Sequence, residues 1–463
     1  MLDVHASAPL SENAIAELRR HMTGPVLTPQ DGAYEPARQI WNAMIDRRPA
    51  AIARCSSRAD VQAAVRFAKD RELLVSIRGG GHNIAGLALC DGGLTIDVSQ
   101  MKAIEVDAGA RTVAAQPGLT WGEFDRETQR YGLATTGGAV STTGIAGLTL
   151  GGGLGWLMGR CGYAVDNLLS ADVVLHDGQT VTASETEHPD LFWGLRGGGG
   201  NFGVVTSFEY RLHTVGPVWA GFVAHPLDRL TSLLQFYREF ASTAPDALTV
   251  HAAIMTLPTG DTVAALLPVW SGDAAEGEAR LAPLRAFGPP IVDMIQQMPY
   301  VAAQSMLDAA VPGGRHNYWK STFLRLLDDE AAGIVETYAR GMTSPYSLCL
   351  IEHVHGAAAR RPVEATAFGI RDDHFHFVAI ASWDPADDGA RHVQWAREFW
   401  TAMKPWAAPQ VYMNILGPDE GDRIGEAYGP NFGRLAQVKA CYDPLNVFRV
   451  NQNIAPVSRR SEP

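Results

Sequence analysis

The sequence predicts an α+β chain in two parts, a glycine-rich first part and a second α+β domain built on antiparallel strands. Three observations carry this expectation. The chain's 463 residues exceed one ordinary core, so two domains are expected. Its 47 glycines are clustered, at 79–93, 137–159 and 194–203. From about 216 to 404 the glycine runs nearly stop while helices and apolar strands continue. The boundaries read as 1–215, 216–404 and a tail, 405–463, that returns to the first part.

Residues 11–23 carry a Ser N-cap candidate and helical spacing, and 58–72 form a second amphipathic helix. Each precedes a short apolar run, 50–55 and 73–78, so the chain opens as β-α-β. Alternation over 92–101 and 103–118 predicts a strand and a hairpin. A helix over 120–132 ends at Gly132, and 168–184 form a hairpin around an Asp-Gly turn. Beyond 216, helices are expected at 227–243, 277–288 and 390–404, and strands at 248–258, 262–272, 346–356 and 374–384. The tail at 428–456 reads as a helix, a Pro-Asn turn and an extended finish.

Composition narrows the function. Hydrophobic residues at 46% and charged residues at 19% fit a soluble globular enzyme. A net charge of −12 repels a phosphate backbone, which argues against nucleic acid as a partner. No run reaches the length of a membrane span, and the N-terminus lacks a basic segment followed by an apolar core. A cytoplasmic protein without a secretory signal is therefore expected. Cys55, Cys90, Cys161, Cys349 and Cys441 are odd in number and dispersed, which argues against a disulfide framework or a metal site.

Consecutive glycines expose neighbouring N–H groups and admit a pyrophosphate at contact distance. "RGGGH" at 78–82 follows a strand, as such a loop should, with Arg78 bracing it or adding charge; alone, it fits a plain turn equally well. "GIAGLTLGGGLG" at 144–155 lacks the strand-loop-helix setting and the following acidic residue of a dinucleotide fingerprint, which argues against nicotinamide. A third run at 197–200 leads into a strand. Three glycine loops beside strands suggest one long ligand, most economically a nucleotide cofactor.

With these motifs in order, the chain resembles the FAD-linked oxidases of the vanillyl-alcohol-oxidase and para-cresol-methylhydroxylase type, in the berberine-bridge-enzyme-like branch. The likeness rests on "IRGGGHNIAG", "GIAGLTLGGGLGWLMGRCGYAVDNLLSADVV", "DLFWGLRGGGGNFGVVTSFEYRL" and "YDPLNVFRVNQNI", and covers almost the whole chain. It implies a two-part FAD-binding domain of the PCMH type and a separate substrate domain. It also implies that Gly79, Gly80, Gly81 and Asn83 lie at the cofactor and that His82 is joined to the flavin 8α carbon. Gly144, Ala146 and Gly147 resemble the pyrophosphate contacts, Gly137 and Ser141 their flank, and Gly155 and Asn167 the next contacts. Val205 resembles the residue at the adenine, and Asn451 and Asn453 those meeting the isoalloxazine. A second, cysteinyl link should be absent, because Val140 stands at its position; Cys161 falls where the family usually has an aromatic residue. Thr143, a small residue where the family controls oxygen access, favours an oxidase.

Such an enzyme passes a hydride from a small substrate to the flavin and both electrons to molecular oxygen, while a base removes a proton. The family's usual tyrosine ends a "Y-x-N-Y" strand, but this chain reads "YMNI", and strand alternation puts Tyr412 opposite Ile415. Other candidates for the base are His376, sharing a strand face with His374, and Tyr318 with Lys320. His353 and His355 share a face, with Glu352 opposite, and Trp319 and Trp383 read as core. The expected activity is oxidation of an amine, an alcohol or a secondary metabolite. The alternatives are a dehydrogenase with another acceptor, a carbohydrate oxidase, or a ligand-binding protein without turnover.

Overall fold

A computed structural model describes residues 10–457. The first nine residues, which belong to the stretch read as lacking a secretory signal, and the last six lie outside the described residues. The chain opens with helix Glu12–His21, capped by Ser11, and helix Arg58–Asp70, capped by Ser57. Around them Val26–Leu27, Ala51–Arg54, Leu94–Asp97 and Val75–Arg78 form a four-stranded sheet in that spatial order, its last three strands parallel. The predicted β-α-β opening is therefore present, with Leu94–Asp97 inserted between the two strands it joins.

A second sheet of five antiparallel strands orders Ile104–Asp107, Thr112–Ala115, Val204–Arg211, Leu168–Val174 and Thr180–Ser184. Helix Trp121–Thr128 carries a full capping box between Thr120 and Glu123, and Gly132 ends the following turn at positive φ. The tail joins this part's core: Val411, Met413, Leu435 and Ile454 pack in one cluster with Trp121, Phe202 and Phe208.

The nine-stranded antiparallel sheet is drawn wholly from 218–383. Its long strands run in the order Thr262–Trp270, Leu248–Thr256, Leu348–Val354, His374–Trp383 and, at one edge, His316–Leu324. Residues of one parity, among them Ile351, Phe377 and Ala379, meet helices Leu230–Ala241, Asp329–Arg340 and Ala390–Met403 in an apolar layer. The opposite parity faces the glycine-rich part. Period-2 alternation thus gives one sheet a structural face and a face over a cavity.

One expected element is different. "YMNI" is a turn of 3₁₀ helix, Met413–Ile415, begun by Tyr412, so strand alternation does not order these side chains.

Candidate active site

A cavity of about 340 Å³ lies between the glycine-rich part and the large sheet. Its floor is made by Gly79, Gly80, Gly81, His82 and Asn83 after strand Val75–Arg78, with Gly144, Ala146 and Gly147 beside them. Gly199, Gly200, Val205, Asn451 and Gln452 close another side. The first two loops cross at backbone contact: a Cβ on Gly80 would stand 2.5 Å from the Gly144 nitrogen, so only glycine permits the crossing. The second loop does lead into a helix, Ile145–Leu150, with Gly144 at its N-cap, so that setting is closer to a loop-helix junction than the sequence reading allowed.

This floor suits a flavin dinucleotide. Among the described residues, the backbone N–H groups of Gly79–Asn83 have no protein acceptor, and such a row of donors favours an anion. The Asn451 carboxamide oxygen is buried at the cavity without a partner, as is that of Asn453 nearby in sequence.

His82 stands at the edge of the floor. Its ring stacks on Trp41 with centroids 5.2 Å apart and 22° between planes, and Nε2 lies 3.2 Å from the Thr142 hydroxyl. Burial lowers its pKa to about 4, so the imidazole is neutral at neutral pH and keeps a nucleophilic lone pair. Val140 lines the cavity, and among the described residues no cysteine does. Cys161 packs instead among Trp156, Leu157 and Leu267.

The roof is the inward face of the large sheet. Ala253 and Met255, Leu348, Leu350 and Glu352, and Val378 and Ile380 alternate from three adjacent strands. In register, His251 faces Glu352 and Glu352 faces His376. Nδ1 of His251 lies 3.1 Å from one carboxylate oxygen and Nδ1 of His376 lies 2.6 Å from the other. Burial opposes ionisation of Glu352, but the hydrogen bonds from the two imidazoles outweigh it and hold the carboxyl well below the usual carboxylate range. Glu352, set aside in the sequence reading, is the only carboxylate among the described residues that line the cavity.

Tyr412 lines the junction of floor and roof. Its hydroxyl oxygen accepts from the Gly153 N–H (3.1 Å), the Leu154 N–H (3.2 Å) and the Asn414 amide (2.9 Å). Burial outweighs these three bonds and raises its pKa, so Tyr412 is a neutral phenol rather than a ready base.

Several expected positions are corrected by the structure. His376 is fully buried behind Tyr412, 5.6 Å between centroids, and bears on the cavity through Glu352 rather than by lining it. Tyr318 has the outward parity: its hydroxyl donates to Asp419, and Lys320 pairs with Asp419 and Glu420, on the far side of the sheet. The intervening residue, Trp319, read as core, lines the cavity, whereas Trp383 is core.

In the floor, Arg78 braces the loop by donating to the Ala37 carbonyl. Ser141 is held by Asp308, and Asn167 latches Cys161, Tyr163 and His213. Gly137 packs on the Trp121 ring, and its carbonyl abuts Gly155. These four flanking residues, like Arg78, stand behind the cavity wall, and Asn453 is also outside the lining.

Comparisons with known proteins point to one family. The family described as FAD binding domain matches residues 49–184, and the family described as berberine and berberine like matches 411–455. An FAD-linked oxidoreductase of Dictyostelium discoideum is 32% identical over 422 residues, 90% of this chain and 91% of that one. The (R)-6-hydroxynicotine oxidase of Paenarthrobacter nicotinovorans is 31% identical, over 94% and 97%. Among solved structures, 6-hydroxy-D-nicotine oxidase from Arthrobacter nicotinovorans superposes with a TM-score of 0.86 at 30% identity, covering 94% of this chain and 98% of that one. A xylooligosaccharide oxidase from Myceliophthora thermophila, at 24% identity and a TM-score of 0.84, over 96% and 99%, shares the fold.

Proposed function

The chain belongs to the berberine-bridge-enzyme-like FAD-linked oxidoreductases, and from that premise we propose an oxidase carrying FAD on a single covalent bond through His82 and acting on an amine, an alcohol or a secondary metabolite. The observation that carries the reading is a neutral, nucleophilic His82 at the edge of a glycine floor of free N–H groups, facing a roof with one carboxylate. FAD, when bound, would supply the two-electron redox chemistry, with molecular oxygen as the final acceptor.

The residues do the rest. Gly79–Asn83 and Asn451 bind and orient the cofactor, and Trp41 and Thr142 fix the ring plane of His82. Glu352, ionised and backed by His251 and His376, accepts a hydrogen bond from the substrate's N–H or O–H and orients it. Tyr412, its oxygen occupied by three donors, is held rigidly at the junction of floor and roof. Thr143 keeps a small side chain at the wall, which supports oxygen as the acceptor.

Two measurements test the reading. Acid precipitation should leave flavin fluorescence with the polypeptide and lose it in His82→Ala; colour released from the wild type refutes the covalent bond. Flavin reduced without air should reoxidise within seconds of admitting oxygen, with one peroxide per flavin. Persistence of the reduced form for minutes would instead favour a dehydrogenase.

A further inference from the structure

We propose that the substrate is a lipophilic amine that enters as a cation and pairs with Glu352. This rests on the oxidase reading and names its substrate class. The large sheet and its 307–311 loop give the cavity Ala253, Met255, Leu307, Ala310, Val311, Trp319, Leu348, Leu350, Val378 and Ile380, and one polar residue, Glu352. Among the described residues, no lysine or arginine lines the cavity.

A sugar cannot use such a roof. Each hydroxyl placed against it gives up water without a replacement, weakening binding by roughly tenfold or more. Leu350 and Val378 offer no hydrogen bond, and the polar side chains Tyr412 and Asn414 are already bonded to their own surroundings.

Glu352 supplies the charge. Nδ1–H groups of His251 and His376 satisfy one site on each oxygen, and Nε2 of both rings is buried without a protein partner. Each carboxylate oxygen therefore meets one imidazole, and Glu352 itself lines the cavity. A carboxylate in an apolar wall is stabilised by a cation brought to it. The ligand complementary to these features has an apolar body, matched to Trp319, Leu348 and Ile380, and one ammonium group.

The test titrates the FAD-loaded protein calorimetrically with 4-phenylbutylamine, 4-phenylbutan-1-ol and cellobiose. The wild type should bind the amine at least tenfold more tightly than the alcohol, and cellobiose more weakly than either. Glu352→Gln should reduce the amine preference to threefold or less while leaving the alcohol within twofold. Equal affinity for amine and alcohol, an unchanged preference in the variant, or tighter binding of cellobiose overturns the inference.

A second measurement needs no variant: benzyltrimethylammonium should displace 4-phenylbutylamine from the wild type, and failure to compete also overturns it. Peroxide formation is followed on the same preparations. A sugar that binds tightly and yields peroxide removes the amine and leaves the oxidase. Amine binding as expected, with reduced flavin that ignores oxygen, removes the oxidase and leaves the amine.

Discussion

Gly80→Ala probes the crossing on which the floor depends. The added methyl would stand 2.5 Å from the Gly144 nitrogen and 2.6 Å from its Cα, against 3.4 Å for ordinary contact, so the loops must part by about 0.9 Å. Neither gives easily. Trp121 donates to the Thr143 carbonyl at 2.9 Å and Ile145 to the Leu119 carbonyl at 3.0 Å, pinning the second loop on both sides of Gly144. Overpacking against backbone of this kind costs about 1–3 kcal/mol, and the displacement also shifts the N–H groups of Gly79–Asn83. Gly147 is the control, because it lines the same cavity but a methyl there meets nothing within 4 Å. Flavin-to-protein ratio by absorbance and apparent Tm of the flavin-free protein separate the effects. Gly80→Ala should lower both, with Tm falling by several degrees, whereas Gly147→Ala should lower flavin content alone. Full flavin content and wild-type Tm in Gly80→Ala would refute the idea that this crossing shapes the floor.

Other perturbations reach other parts of the site. Tyr412→Phe strips the acceptor from three N–H donors, each worth about 1–3 kcal/mol when left buried and unpaired, so Tm and turnover should both fall; unaltered thermal unfolding contradicts this bonding. Lys439, wholly buried, donates to Asp443 and to the carbonyls of Asn201 and Phe448, tying the tail to the third glycine loop. Lys439→Met strands the Asp443 carboxylate and should cost about 3–5 kcal/mol, read as a lower denaturation midpoint. His353, His355 and His374 titrate low chiefly because they are buried, His374 near 4 instead of 6.5. The unfolded chain then binds protons that the folded one refuses, so stability is whole above about pH 6.5 and drains away as pH falls toward 4, by roughly 3 kcal/mol for His374 alone. Melting scans between pH 7.5 and 5 should show the loss and His374→Phe should blunt it; a flat profile in the wild type would count against buried neutral imidazoles.

Much of the floor was legible because its signals are local. A strand followed by "RGGGH" can be recognised within a dozen residues, and strand Val75–Arg78 does deliver Gly79–Asn83 to the cavity. The roof was harder because its logic runs across strands. Parity within 346–356 correctly put His353 and His355 on one face, where their rings stack 4.7 Å apart. It could not show that Glu352 lies in register between His251 and His376, since that register is set by strands about 100 residues distant in one case. Tyr318 and Trp319 were exchanged for the same reason: one residue of phase decides which meets Asp419 and which meets the cavity. "YMNI" misled differently. A strand pattern was read into four residues that curl into a single 3₁₀ turn under the packing of Met413 and Leu416 in the tail's core.

The two faces of the large sheet have different freedoms. Phe377, Ala379 and Ile351 are committed to the helices behind them, while their neighbours Val378, Ile380 and Leu350 pack with one another and with Trp319 and Ile415 around the cavity. Every second residue can therefore drift without loosening the scaffold that the residues between them maintain. A lineage built on this plan can try new substrates one side chain at a time, leaving the electron-accepting end of the cavity undisturbed.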